Sequence, residues 1–139
     1  MSNDSSNQWF LTDESDPEPW RDGSEVLAIR SEEHLVSLLR IYAEKEPRVF
    51  TLKGPISGIA FMGIGGPFAG IDYYPNLPSS TRSLSATPAV RHTDEKQWFT
   101  AVGEPSGFAA DHVMPVEELI HVVAHLYRTG ELADWVQWN

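Results

Sequence analysis

Glu117, His121 and His125 stand at four-residue intervals. On a helix all three share one face, and two histidines so spaced can grip one metal ion. A metal-dependent hydrolase of that kind carries its glutamate directly after the first histidine, and Val122 stands there instead. The trio therefore reads as a solvated helix face, with a small metal-dependent hydrolase on His121 and His125 as the alternative. His92 and Asp94 offer a base and its orienter, but an isolated His-x-Asp in the polar run Arg91-His92-Thr93-Asp94-Glu95 reads as an exposed loop. Met62 to Gly70 is glycine-rich like a phosphate cradle. It lacks the Lys-Ser/Thr of a P-loop, and Ile71-Asp72-Tyr73 continues it as a strand where a dinucleotide site needs a helix. A hairpin is the better reading. There is no cysteine and no G-x-S-x-G elbow. No catalytic set, metal or cofactor is expected, so the chain reads as a non-enzyme.

The elements that position these residues follow from periodicity and punctuation. Ser31 caps a helix over residues 31–45, with Glu32 and Glu33 in its first turn and Leu35, Leu38, Leu39 and Tyr42 on its apolar face. A second helix covers residues 115–129. Pro115 opens it, Gly130 stops it, and Val116, Leu119, Ile120, Val123 and Tyr127 form one apolar stripe opposite Glu117, Glu118, His121, His125 and Arg128. Strands are expected at residues 25–30, 48–53, 56–64, 69–74, 96–102, 108–113 and 135–138, and Trp9-Phe10-Leu11 can pair as an edge strand. Residues 75–80 read as a loop, 82–90 stay undecided around Pro88, and Glu104-Pro105-Ser106-Gly107 reads as a turn. Two helices with one apolar stripe each cover one face of a mostly antiparallel sheet. The fold class is α+β, a two-layer sandwich. Residues 1–24 are set apart as an acidic, largely flexible segment and 25–139 as one domain.

Charge narrows the partners. The chain of 139 residues holds 20 acids and 10 bases, a net charge of −10. The excess is steepest at the start, where Asp4, Asp13, Glu14, Asp16, Glu18, Asp22 and Glu25 face Arg21 alone. Direct binding to nucleic acid or to an anionic membrane needs clustered Lys and Arg, so neither is expected. A basic protein partner is. The first residues show no secretory pattern and no stretch reads as a membrane span, which makes a cytoplasmic location the expectation. Of the aromatics, Tyr42, Trp98, Tyr127 and Trp135 are expected in the core. Trp9, Trp20, Tyr73 and Tyr74 stand beside acids in loops or at strand ends, the mixture a protein-binding surface shows. The partner-binding residues so selected are Asp72, Tyr73, Tyr74, Asp94, Glu95, Trp20 and Asp22.

The same residues carry a family resemblance. Ser31-Glu32-Glu33-His34-Leu35, Gly58 to Gly66, Pro115-Val116-Glu117-Glu118, Tyr127-Arg128-Thr129-Gly130 and Trp135-Val136-Gln137-Trp138 together resemble the immunity-protein-one family of bacterial polymorphic toxin systems. The likeness spans residues 25–139, with Glu131 to Asp134 standing where the family usually carries a proline. It implies an α+β protein that binds and silences a toxin domain encoded beside it, often a nuclease or a nucleic-acid deaminase. A toxin-independent interaction module is the other alternative.

Overall fold

Ser31 starts the first helix as its type predicts: its Oγ accepts the His34 N–H at 3.0 Å, capping α1 (Glu32–Ala43). The second helix, α2 (Val116–Thr129), ends at Gly130, which has a left-handed backbone and donates to the Leu126 carbonyl at 2.7 Å. Pro115 stands one place earlier than expected, as the capping residue. A computed structural model describes residues 8–16, 26–75 and 83–139. The 75–80 loop, beyond its first residue, lies outside them.

Ten strands are described: β1 (Trp9–Asp13), β2 (Val26–Ile29), β3 (Arg48–Lys53), β4 (Ile59–Ile64), β5 (Phe68–Tyr74), β6 (Leu84–Thr87), β7 (Gln97–Ala101), β8 (Glu104–Phe108), β9 (Val113–Pro115) and β10 (Gln137–Trp138). The main sheet runs β10-β6-β5-β4-β3-β1-β2, every pairing antiparallel, with β9 also on β5. A single parallel bridge, Arg48 to Thr100, ties β7 to β3. Phe50, Leu52, Ala60, Met62, Ile64, Ala69 and Ile71 alternate onto one face and pack under Leu35, Leu39, Leu119, Ile120 and Val123 of the helices. This is the α+β two-layer sandwich. The helices lie antiparallel, since Arg40 at the end of α1 binds Glu117 at the start of α2 through two hydrogen bonds, and Arg128 at the end of α2 binds Glu32. Both pairs are largely exposed and contribute little to stability.

The fold takes in residues that the sequence reading set apart. β1 is an interior strand between β2 and β3, and Trp9 is 6% exposed with its ring 5.5 Å from that of Tyr127. Trp9 is thus core and not a surface aromatic. The partners it needed, Ile29 and the helix α2, are distant in sequence.

The opposite face of the sheet is partly covered by the β7–β8 hairpin. Phe99 and Phe108 project from it with Val49 and Val113 into a second small core, the two rings meeting edge to face at 5.4 Å. Gly63 and Gly70, direct partners across β4 and β5, lie beneath them. A Cβ on Gly63 would come within 2.6 Å of the Phe99 ring, and one on Gly70 within 2.5 Å of the Phe108 ring. The glycines make the flat seat on which both rings rest.

The hairpin reverses at Val102-Gly103 and not at Glu104 to Gly107, which forms β8 instead. Both turn residues have positive φ, 50° for Val102 and 74° for Gly103, the two-residue turn that matches strand twist and favours Asn-Gly. A β-branched residue there is strained. Backbone bonds hold it: Val102 N–H donates to the Glu14 carbonyl at 2.7 Å and Gly103 N–H to Ser15 at 2.9 Å. Val102→Asn should relieve the strain, because the side chain is 47% exposed. We expect a gain of about 1 kcal/mol in urea unfolding. An unchanged or lowered midpoint contradicts a strained turn.

Candidate protein-binding surface

The expected partner-binding residues divide on inspection. Tyr73 is a correction: it alternates onto the helix side of β5, is 8% exposed, and its hydroxyl lies against Gly58. Burial raises its pKa, opposed by a hydrogen bond with the Gly58 backbone. Asp72 and Tyr74 alternate to the other face, where Tyr74 meets the Phe61 ring edge to face at 5.2 Å. Asp72 is half-buried and accepts the Ser85 hydroxyl at 2.7 Å. Burial raises its pKa; the Ser85 bond and the nearby His112 pull the other way but do not cancel it. Trp20 and Asp22 lie outside the described residues.

Asp94 and Glu95 are exposed, as a loop position implies. Asp94 is 3.3 Å from Arg91, whose guanidinium also binds Asp111. His92 Nε2 lies 3.8 Å from Glu118. The 3₁₀ turn Ala110–His112 lies between these groups and Asp72, since Asp111 binds Arg91 and His112 is near enough to Asp72 to oppose the rise of its pKa. Asp72 and the Asp94 loop thus flank one turn. His121 is exposed on α2, and the half-buried His125 ring meets Trp135 edge to face at 5.1 Å. Among the described residues no group of three or more His, Asp or Glu converges as a metal site needs.

Sequence reasoning passed over the most exposed indole among the described residues. Trp98, expected in the core, is 54% exposed, and Trp135 is 49% exposed. The signal was present in Lys96-Gln97-Trp98-Phe99-Thr100. Period-two alternation puts Trp98 on the face of Lys96 and Thr100, opposite the buried Phe99. Lys96 Nζ lies 4.7 Å from the Trp98 ring centroid. Beside Trp98 an open groove of about 350 Å³ is lined by Glu46, Pro47, Thr100, Glu104 and Pro105 among others. Thr100 N–H donates to the Pro47 carbonyl at 3.1 Å, which fixes the loop after α1 against the hairpin.

Internal pairing leaves an acidic excess on the surface, where Arg30, Lys45, Lys53 and Lys96 are the exposed bases without an ion pair among the described residues. Arg40, Arg48, Arg91 and Arg128 are each committed to carboxylates of this chain. Glu33, Glu44, Glu46, Glu95, Glu104, Glu131 and Asp134 are exposed and have no ion pair among the described residues. Asp13 shows the contrast: burial raises its pKa, but bonds from Ser15 and Arg48 outweigh that and hold it below the usual carboxylate range.

No family model matches the chain, and no curated protein matches it. No helix among the described residues is long and apolar enough to cross a membrane.

Asp72 supplies a test of this electrostatic picture. Its raised pKa means that the folded state holds the proton more tightly, so its contribution to stability is full below the unfolded pKa of about 3.9 and falls as pH rises through the folded value. Asp72→Asn keeps an acceptor for Ser85 and has no charge to bury. Its urea midpoint, relative to the wild type, should therefore rise between pH 3.5 and pH 7. A difference that shrinks over that window removes the burial argument.

Proposed function

We propose that this chain is a non-enzymatic immunity protein. It binds a basic toxin domain that acts on nucleic acid, a nuclease or deaminase, and blocks access to its substrate site. The observation that carries this reading is the acidic excess of the surface: the described arginines other than Arg30 are spent on internal ion pairs, and seven exposed carboxylates among the described residues remain unpaired against Arg30, Lys45, Lys53 and Lys96. Enzymes that act on nucleic acid need basic grooves. A rigid acidic protein competes with the nucleic acid for such a groove, and opposite fields accelerate the encounter. The likeness of residues 25–139 to the immunity-protein-one family points the same way, and the sheet and two helices fit that expectation. On this reading the chain works in the cytoplasm, in competition between bacteria.

Co-expression tests the proposal. Cells producing the toxin domain of the neighbouring reading frame should survive when this chain is made and die when it is not. The association rate of the purified pair should fall steeply, by tenfold or more, between low and about 0.5 M salt. Death despite soluble expression of this chain would remove the proposed function, and a rate indifferent to salt would remove its electrostatic basis.

A further inference from the structure

Four strands pair on one side only among the described residues: β2, β8, β9 and β10. Proline, charge and very short length keep such an edge from recruiting another strand. β8 opens Glu104-Pro105, and β9 and β10 are three and two residues long. β2 is Val26-Leu27-Ala28-Ile29, four apolar residues with none of these devices. Exposed apolar side chains gather at the same edge. On the face away from the helices Val26 is 56% exposed and Phe10, the partner of Ala28 on β1, is 40% exposed; on the helix side Ile41 is 52% exposed. Helical spacing puts Leu38 and Ile41 on the flank of α1 turned away from Arg40 and therefore from α2. Since α1 packs on β2 while α2 packs on β5 and β9, that flank overlies the β2 edge.

We infer that β2 is the seam of a homodimer, in which it pairs antiparallel with β2 of a second copy about a two-fold axis normal to the sheet at Ala28. The inference goes beyond the toxin-binding reading and does not rest on it. Such an axis keeps every residue on its own face, so odd positions must meet odd ones and even positions even ones. The register that uses all of Val26 to Arg30 sets Ala28 against Ala28, Leu27 against Ile29 and Val26 against Arg30. On the outer face the row Lys53, Phe10, Ala28 then runs on into its own copy, and the two small alanines leave room for both Phe10 rings to close over the seam.

Charge at the ends of the strand favours the same occupant. Arg30 is exposed and has no ion pair among the described residues. In this register it comes beside Val26 of the other copy, two strand spacings or about 10 Å from β1. Glu14, just past the end of β1, lies on that same face, where its carboxylate accepts the Thr51 hydroxyl at 2.9 Å. An arginine and a glutamate together span that gap, and symmetry makes the pair twice. A lone partner strand supplies backbone pairing only. A second copy supplies the strand, the matched charge at both ends, and its own α1 to lie beside Ile41. The net charge of −10 on each copy opposes the approach, but at physiological salt that repulsion is screened beyond about 8 Å, whereas the seam groups lie closer.

The test uses the full chain in sedimentation and cross-linking. At about 0.15 M salt the wild type should show a reversible monomer–dimer equilibrium, with dimer predominant by about 0.5 mM. Ala28→Lys sets two ammonium groups against each other across the axis and should raise the dimer Kd about tenfold or more. Ala28 is exposed, so the fold of that variant, followed by circular dichroism, should be intact. The chain has no cysteine, so Ala28→Cys carries one thiol, at the axis, where directly opposed residues have the spacing a disulfide needs. Mild oxidation should link it into a dimer about ten times faster than Val90→Cys, a more exposed site beyond β6 toward the other end of the sheet. A chain still monomeric at that concentration, a dimer that Ala28→Lys leaves intact, or cross-linking no faster for Ala28→Cys than for Val90→Cys overturns the inference. Each of those results leaves the toxin-binding reading as it was.

Discussion

Two phenylalanine rings rest on two glycines, and the second half of the structure depends on that contact. Gly63 and Gly70 face each other across β4 and β5, and their missing side chains leave room for Phe99 and Phe108 on the sheet face away from the helices. Burying each ring contributes on the order of 2 kcal/mol. That is what fastens an otherwise thin hairpin, which has one parallel bridge to the main sheet. Everything carried on the hairpin's outer side, Trp98 included, inherits its position from this seat. The same packing requires the extension after β1, because the turn at Val102 is held by the carbonyls of Glu14 and Ser15.

The helical half of the fold was legible because its signals are local. Ser31, Pro115, Gly130 and the apolar stripes each act within a turn or two of chain, and sequence periodicity reports them directly. The hairpin was not legible for the opposite reason. β8 contains Pro105 and Gly107, a composition that reads as a turn, yet an edge strand paired on one side tolerates both. The actual reversal has a valine in a left-handed conformation, against turn chemistry, and the distant carbonyls of Glu14 and Ser15 help to hold it there.

The aromatics were inverted by a related cause. Trp9 lies in acidic chain and is buried, while Trp98 lies in a β-rich run and is exposed. Neighbouring residue types describe the local stretch, but burial is decided by what packs from elsewhere, here Tyr127 for Trp9. Of the expected binding residues, Asp72, Tyr74, Asp94 and Glu95 fall on the side away from the helices or on exposed loops, and Tyr73 does not. One position of alternation separates Tyr73 from its neighbours, enough to send it into the core. The acidic excess could be read from composition. Which carboxylates stay unpaired depends on long-range partners such as Arg40 with Glu117 and could not.

Hydrogen exchange on Gly63→Val tests the central contact most directly. The added side chain cannot coexist with the Phe99 ring in its place, so the hairpin amides of residues 97–108 should exchange at least tenfold faster, while β1, β3 and the helices keep their protection. Uniform loss of protection throughout the sheet, or a hairpin as protected as in the wild type, would contradict the claim that the glycine seat holds the hairpin in position.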